Sequence, residues 1–174
     1  TVKRMERLEH QLKNEQVIFH VLNTSHAFHS SMMEPILERF YEVVNRIELH
    51  RPSIPYLSNV TGDWVDAEQV IDPSYWVTHI RQTVRFASCL EKLTSSGKSL
   101  LLEVGPGHAL STLARHHQPQ WATSSFATLP DANKADHALA SIMTAVGQLW
   151  LNGIPVRWDN FHRHQWRQRI PLPT

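Results

Sequence analysis

Two histidines three residues apart, His26 and His29, stand in the segment Ser25-His26-Ala27-Phe28-His29-Ser30-Ser31, between a predicted strand end and a predicted helix start. A loop at such a junction exposes a side chain on a rigid scaffold, which makes this the candidate active-site loop. Histidine's ordinary pKa of about 6.5 lets it accept and return a proton near neutrality, so one of the pair suits a general base for a hydroxyl nucleophile. Two other readings of the same residues stay open. They are loop or helix-cap histidines without chemistry, or two metal ligands joined by His116 and His117. A metal site needs three or four converging ligands, and no acidic or cysteine partner stands at a telling spacing. No metal is expected.

Other constellations carry less. Gly105-Pro106-Gly107 lies between a predicted strand and a predicted helix, but neither a Walker Lys-Ser/Thr nor a G-x-G-x-x-G spacing accompanies it, so it reads as a tight turn with helix capping. No G-x-S-x-G elbow occurs, which leaves the candidate base without a visible nucleophile. Arg157, Arg163, Arg167 and Arg169, interleaved with His162, His164 and tryptophans, form a basic aromatic tail. Without a nucleic-acid-binding signature such a tail reads as packing along an acidic surface, or as simple solvation.

The elements that must position the loop follow from periodicity. Met5, Leu8 and Leu12 among charged residues predict a surface helix over 2–14 with one buried stripe. The β-branched and aromatic run Val17 to Leu22 predicts a strand. Ile36, Leu37, Phe40, Val43, Val44 and Ile47 predict a helix starting near Ser30 or Ser31, with Ser31 and Glu34 spaced as a capping box and Pro35 in the first turn. Ile54 to Val60 reads as a strand start or edge, because of its proline. Asp72-Pro73-Ser74 opens a long helix that runs toward Ser95-Ser96-Gly97 with a kink near Thr83. Ser99 to Val104 is apolar on both faces, as in an interior strand. A short helix over 109–115, a strand over 121–129 and a helix over 138–151 closed by Asn152-Gly153 complete an α/β alternation. From Val156 onward the chain loses periodicity and reads as an extended, surface-hugging tail.

The chain has 174 residues, one domain's worth, and its 41% hydrophobic content suffices for a core. Lys+Arg 17 against Asp+Glu 16 leaves a charge of +1, which argues against nucleic acid as a partner. Cys89 is the only cysteine, so an internal disulfide is excluded and a reducing, cytoplasmic compartment is expected. No apolar run approaches the ~18 residues of a membrane span, and the charged first residues do not resemble a signal peptide. The chain also lacks an initiator Met and opens inside a charged amphipathic stretch, so it is expected to be a piece of a longer polypeptide.

Ordered blocks along the chain resemble the malonyl-type acyltransferase domain of modular type I polyketide synthases. They are Leu22-Asn23-Thr24-Ser25-His26-Ala27-Phe28-His29-Ser30 with Met33-Glu34-Pro35, Ile54-Pro55-Tyr56-Leu57-Ser58-Asn59-Val60-Thr61-Gly62, and Tyr75-Trp76-Val77 with Arg81-Gln82-Thr83-Val84-Arg85-Phe86. Glu103-Val104-Gly105-Pro106-Gly107, Gln148-Leu149-Trp150-Leu151-Asn152-Gly153, Val156-Arg157-Trp158 and Ile170-Pro171-Leu172-Pro173-Thr174 continue the match. Ser31 stands where the family commonly has Pro, and Arg157 where an acidic residue is frequent.

The resemblance implies the C-terminal half of an α/β-hydrolase-like acyltransferase core. Residues 1–23 would be the last helix and strand of an inserted ferredoxin-like subdomain, 24–155 the core, and 156–174 an extended linker. It implies that His29 is the general base, that His26, Ala27 and Phe28 set substrate choice, and that Asn59 and the backbone near Arg85 support the pocket. Phe28 would select malonyl over methylmalonyl by volume, against the alternative that it is an ordinary core aromatic. The nucleophilic Ser, the substrate-carboxylate Arg and an oxyanion-hole residue would lie in the N-terminal half of the same domain. The implied activity is ping-pong transfer of malonyl from malonyl-CoA to the phosphopantetheine thiol of an acyl carrier protein, with no cofactor bound by this chain. The implied partners are that other half of the domain, the carrier protein and an adjacent ketosynthase, with no membrane. An editing acyl hydrolase or a non-catalytic docking scaffold is the alternative.

Overall fold

A computed structural model describes residues 2–19, 21, 24–95, 97, 99–131, 137–166 and 170. The chain forms two compact units, one of residues 1–53 with 66–84 and the other of residues 54–65 with 85–174. No helix among the described residues is long and apolar enough to cross a membrane.

The first unit is helical. Helix α1 spans Val2–Asn14, as its apolar spacing predicts, yet none of its residues is buried. The stripe of Met5 and Leu8 is exposed rather than packed. The strand predicted over Val17–Leu22 is corrected: residues 17–19 and 21 have no strand pairing, and His20 and Leu22 lie outside the described residues. A strand needs a neighbouring strand to pair its backbone, and Ile18, 90% exposed, has none beside it among the described residues.

The helix expected at Ser30 or Ser31 begins as a 3-10 segment, Ser31–Ile36, and continues as helix α2, Leu37–Val44. Its cap is Ser30, whose hydroxyl accepts from the Met32 N–H. Of the predicted apolar face, Val44 is buried and Leu37 and Phe40 are half-buried, while Ile36, Val43 and Ile47 stay exposed. Asp66 caps the single turn α3, Ala67–Val70. Asp72 caps helix α4, Pro73–Arg81, by accepting from the Ser74 N–H at 2.8 Å, with Pro73 in the first turn where its missing N–H costs nothing. Helix α4 packs on α2, α3 and the 3-10 segment. At Gln82 the backbone turns extended, ψ 156°. The expected kink near Thr83 is therefore a complete break, in a stretch that carries the β-branched Thr83 and Val84.

The second unit is α/β. The strand expected over 54–60 is reduced to one antiparallel bridge, Leu57 with Trp64, around a tight turn. Ser58 Oγ accepts from the Val60 N–H at 3.1 Å and draws the chain into that turn. Gly62 completes it at φ +76°, where an added Cβ would lie 2.6 Å from Ser88 Cβ. Helix α5, Phe86–Ser95, precedes strand β1, Leu101–Glu103, which lies within the predicted 99–104. Helix α6, Ala109–His117, leads to strand β2, Ser125–Ala127, parallel to β1 with Leu101 opposite Ser125. Trp121, expected at the start of that strand, sits instead in a 3-10 turn, Pro119–Ala122. There it is buried with Leu90 and Ala114, against Phe86 and Leu101. Beside that cluster lies a cleft of about 170 Å³, lined by Phe86, Leu90, Leu93, Leu101, Leu110 and Ala114.

Helix α7 spans Ala138–Leu151 as predicted, and Gly153 at φ +83° ends it by donating to Trp150 O at 2.9 Å. The extended tail is corrected at its start. Residues Trp158–Phe161 form one helical turn, α8. The Trp158 ring sets edge-on to Trp150 and Phe161 and stacks on His162, and this aromatic packing stabilises a turn that periodicity does not signal. The parts of the predicted tail at 167–169 and 171–174 lie outside the described residues.

The Gly105-Pro106-Gly107 turn delivers a carboxylate to the start of α6. Glu103 accepts from the Leu110 N–H at 3.1 Å and the Ser111 N–H at 2.8 Å, satisfying donors that the helix itself leaves open. Burial raises the Glu103 pKa, but these bonds outweigh it and hold the carboxyl below the usual glutamate value of 4.5. A carboxyl depressed on folding stabilises above its unfolded value and loses that contribution as pH falls through the folded one. Glu103→Gln is therefore expected to lower the thermal midpoint at pH 7, with the gap to the parent closing as pH drops below 4.5. Melting curves across that range check it.

Candidate active site

The loop Ser25–Ser30 turns sharply before the 3-10 segment. His29 adopts φ 60°, a left-handed conformation uncommon outside glycine. Three contacts hold it there. Its N–H donates to Ile80 O at 3.1 Å, and the Ser30 hydroxyl donates to Ala27 O at 2.5 Å. The Phe28 N–H donates to His26 O at 3.0 Å. Such strain costs of order 1–3 kcal/mol and persists only where the surroundings over-determine the conformation.

The side chain is more constrained still. Nδ1 of His29 lies 3.0 Å from His79 O and 3.0 Å from Gln82 O. Both partners are carbonyl oxygens, which only accept, so Nδ1 carries the proton and a neutral ring presents an unprotonated Nε2. The two carbonyls come from the C-terminal end of α4, where helix oxygens lack intrahelical donors and carry partial negative charge. That charge faces a ring that becomes positive when Nε2 takes a proton. The arrangement is that of a base preset in one tautomer.

The Glu34 carboxylate on the 3-10 segment receives Nη2 of Arg81 at 2.7 Å and Nε at 3.0 Å. This two-pronged contact ties the end of α4 to the segment that follows the loop. Glu34, expected to complete a capping box, is used for this tie.

The selectivity candidates precede His29 directly in the loop. His26 is exposed, with Nδ1 3.0 Å from Ser25 Oγ, and its ring stands edge-on to Phe28 at 6.4 Å. Phe28 is 51% exposed and therefore not buried in a core. Ala27 is exposed, and its N–H points at Met32 Sδ at 3.5 Å. Asn59 and Arg85 are joined to each other, with the Arg85 N–H donating to Asn59 O at 2.9 Å. The Cys89 thiol donates to Ser58 O at 3.5 Å, and burial, followed by the Asp63 charge, pushes its pKa up. His117 pairs with Glu91 at 3.7 Å. Among the described residues no group of three or more His, Cys, Asp or Glu could hold a metal ion.

The resemblance points to backbone near Arg85 as support, but it does not single out His79 and Gln82, whose oxygens meet His29 Nδ1. Their contribution at His29 Nδ1 is through main-chain oxygens, which leave no trace in residue type. The apolar positions continue past Ile80 through Val84, Phe86, Leu90 and Leu93, so residue types do not mark the helix end at Arg81.

A family profile described as the acyl transferase domain matches residues 1–155. The chain is 35% identical over 156 residues to the spectinabilin polyketide synthase system protein NorB of Streptomyces orinoci, covering 88% of this chain and 7% of that protein. Among solved structures, the acyl transferase domain of ZmaA aligns with a TM-score of 0.82 at 32% identity, covering 99% of this chain and 39% of that one. The acyl transferase domain of SpnD, in complex with 2-(pent-4-yn-1-yl)malonyl, aligns with a TM-score of 0.77 at 36% identity, covering 86% of this chain and 37% of that one. The chain thus spans well under half the length of each.

The Ser30 hydroxyl both caps the 3-10 segment and clamps the loop. Ser30→Ala is expected to cost about 1 kcal/mol of stability, the usual value of a lost cap. Urea denaturation of the complete domain measures it.

Proposed function

This chain belongs to the acyltransferase domains of modular polyketide synthases, and on that premise we propose that it transfers malonyl from malonyl-CoA to the phosphopantetheine thiol of an acyl carrier protein, with His29 as general base. The observation that supports this most is the pair of carbonyls on His29 Nδ1, which leaves Nε2 free to accept a proton.

In this reading a serine hydroxyl, contributed by the N-terminal half of the same domain, attacks the malonyl thioester. Nε2 takes the hydroxyl proton as the new C–O bond forms, and the C–S bond breaks. The proton then passes to the departing CoA thiolate. In the second half-reaction Nε2 takes the carrier thiol's proton, sulfur attacks the acyl-serine, and the proton returns to the serine oxygen. The cycle is ping-pong and calls on no cofactor from this chain.

The open surfaces fit a chain that completes its core with further residues. Met5 and Leu8 of the α1 stripe are exposed, and the parallel pair of β1 and β2 among the described residues leaves Leu102 38% exposed and Val104, just after β1, 80% exposed, although parallel sheets are ordinarily covered. We assign residues 1–23 to the end of the ferredoxin-like subdomain and residues 156–174 to the linker toward an adjacent ketosynthase. His26, Ala27 and Phe28 act as the selectivity segment.

His29→Ala in the complete domain is expected to slow acylation by malonyl-CoA by roughly 10²–10⁴, the usual worth of a positioned proton acceptor, whereas His26→Ala costs far less. Single-turnover acyl-enzyme formation reads both, and a larger loss in His26→Ala reverses the two roles.

Phe28 is read as the wall beside the substrate's α-carbon. One methyl is worth ~1–3 kcal/mol in such a pocket, so Phe28→Ser is expected to relax selection against methylmalonyl-CoA without inverting it. Competition between the two thioesters, expressed as the ratio of kcat/KM values, measures the change. An unaltered ratio places selectivity elsewhere.

A further inference from the structure

Helix α4 offers the His29 loop more than its carbonyls. His79 follows Tyr75 by four residues and Trp76 by three, a spacing that brings side chains together along a helix. The His79 ring lies 6.4 Å from Tyr75 and 6.3 Å from Trp76, centroid to centroid. Tyr75 is buried, and Trp76 is anchored by its Nε1, which donates to Val70 O at 3.0 Å. His79 therefore rests on two fixed rings. Against it stands the ring of His29, at 5.7 Å and an interplanar angle of 79°.

The two carbonyl contacts locate Nδ1 of His29 but act at one corner of the ring. Nε2, at the far side, remains free to swing about that corner unless something bears on the ring laterally. His79 supplies an edge-to-face contact of the kind aromatic pairs favour.

Resting on the reading of His29 as base, we propose that His79 is its positioning residue, an imidazole seated on Tyr75 and Trp76 that holds the His29 ring by its edge-on contact so that Nε2 faces the nucleophile. Burial, and then the His29 charge, hold the His79 pKa below its usual 6.5. A neutral neighbour does not repel the positive charge that forms on His29 during attack. The role belongs to the His79 side chain, separately from the main-chain oxygen that the same residue lends to Nδ1.

The test uses the complete domain with the variants His79→Ala, His79→Phe and His29→Ala. Loss of lateral support is expected to slow single-turnover acylation by malonyl-CoA ~10-fold in His79→Ala, within the range that a misplacement near 1 Å produces. The KM for malonyl-CoA is expected to stay within about twofold, because ground-state binding is untouched. His79→Phe, which restores a ring, is expected to recover most of the rate. The His29 Nδ1–H proton resonance is expected to persist in His79→Phe and to broaden or vanish in His79→Ala. If His79→Ala fails to fold, His79→Asn, which also lacks the ring, is judged by the same criteria. A ring-deleted variant that acylates within about twofold of the parent and keeps that resonance, while His29→Ala is inactive, overturns the role of His79 and leaves the base intact. Full activity in His29→Ala overturns the base itself, and the positioning role with it.

Discussion

Two carbonyl oxygens converge on one ring N–H, and much of the local structure serves to keep them there. His79 O and Gln82 O are available to His29 because α4 stops at Arg81 and the chain leaves extended at Gln82. Had the helix continued, these oxygens would have been taken by its own N–H groups. The start of α4 is equally defined, by Asp72 as cap and Pro73 in the first turn. A helix bounded sharply at both ends places its last carbonyls at a set distance from its anchored first turn.

The loop side of the contact is less comfortable and shows where conformational energy is spent. His29 at φ 60° is strained for a residue with a Cβ. The Ile80 carbonyl, the Ser30 hydroxyl and the Glu34–Arg81 pair surround that strain with local bonds. The ion pair is half in solvent, so its contribution to overall stability is small. Its value lies in geometry, since it connects the segment after the loop to the end of the helix that supplies the carbonyls. Tyr75, Trp76 and His79 make the same helix a platform of rings, so one element provides polar and lateral restraint together.

Helices were legible in the sequence where periodicity and capping agreed, as in α1, α4 and α7. The Val17–Leu22 and Ile54–Val60 runs misled for different physical reasons. The first has the composition of a strand but no paired partner at its described residues, and strand identity lies in pairing rather than in residue type. In the second, the Ser58 side chain bonds the local backbone and converts an extended run into a turn. The tail was misread because aromatic stacking around Trp158 has no period to detect. In the site, His29 was visible as a side chain and the resemblance pointed to backbone near Arg85, while the particular oxygens that set its tautomer, those of His79 and Gln82, were not visible. His79 was visible as a residue but carried no meaning until the helix break put it beside the loop.

Every restraint on His29 arises between residues 25 and 82, so its ring is set in one tautomer by local contacts alone. That restraint has a chemical consequence. A tautomer imposed by local carbonyls removes one of the two orientational searches a proton transfer would otherwise require, leaving only the approach of the hydroxyl to Nε2. The same local bonds keep the His29 ring organised while Met5 and Leu8 on α1, Leu102 on β1 and Leu110 and Leu113 on α6 stay exposed. The energy that orders the loop comes from short-range hydrogen bonds and ring contacts, not from the burial of a large apolar area.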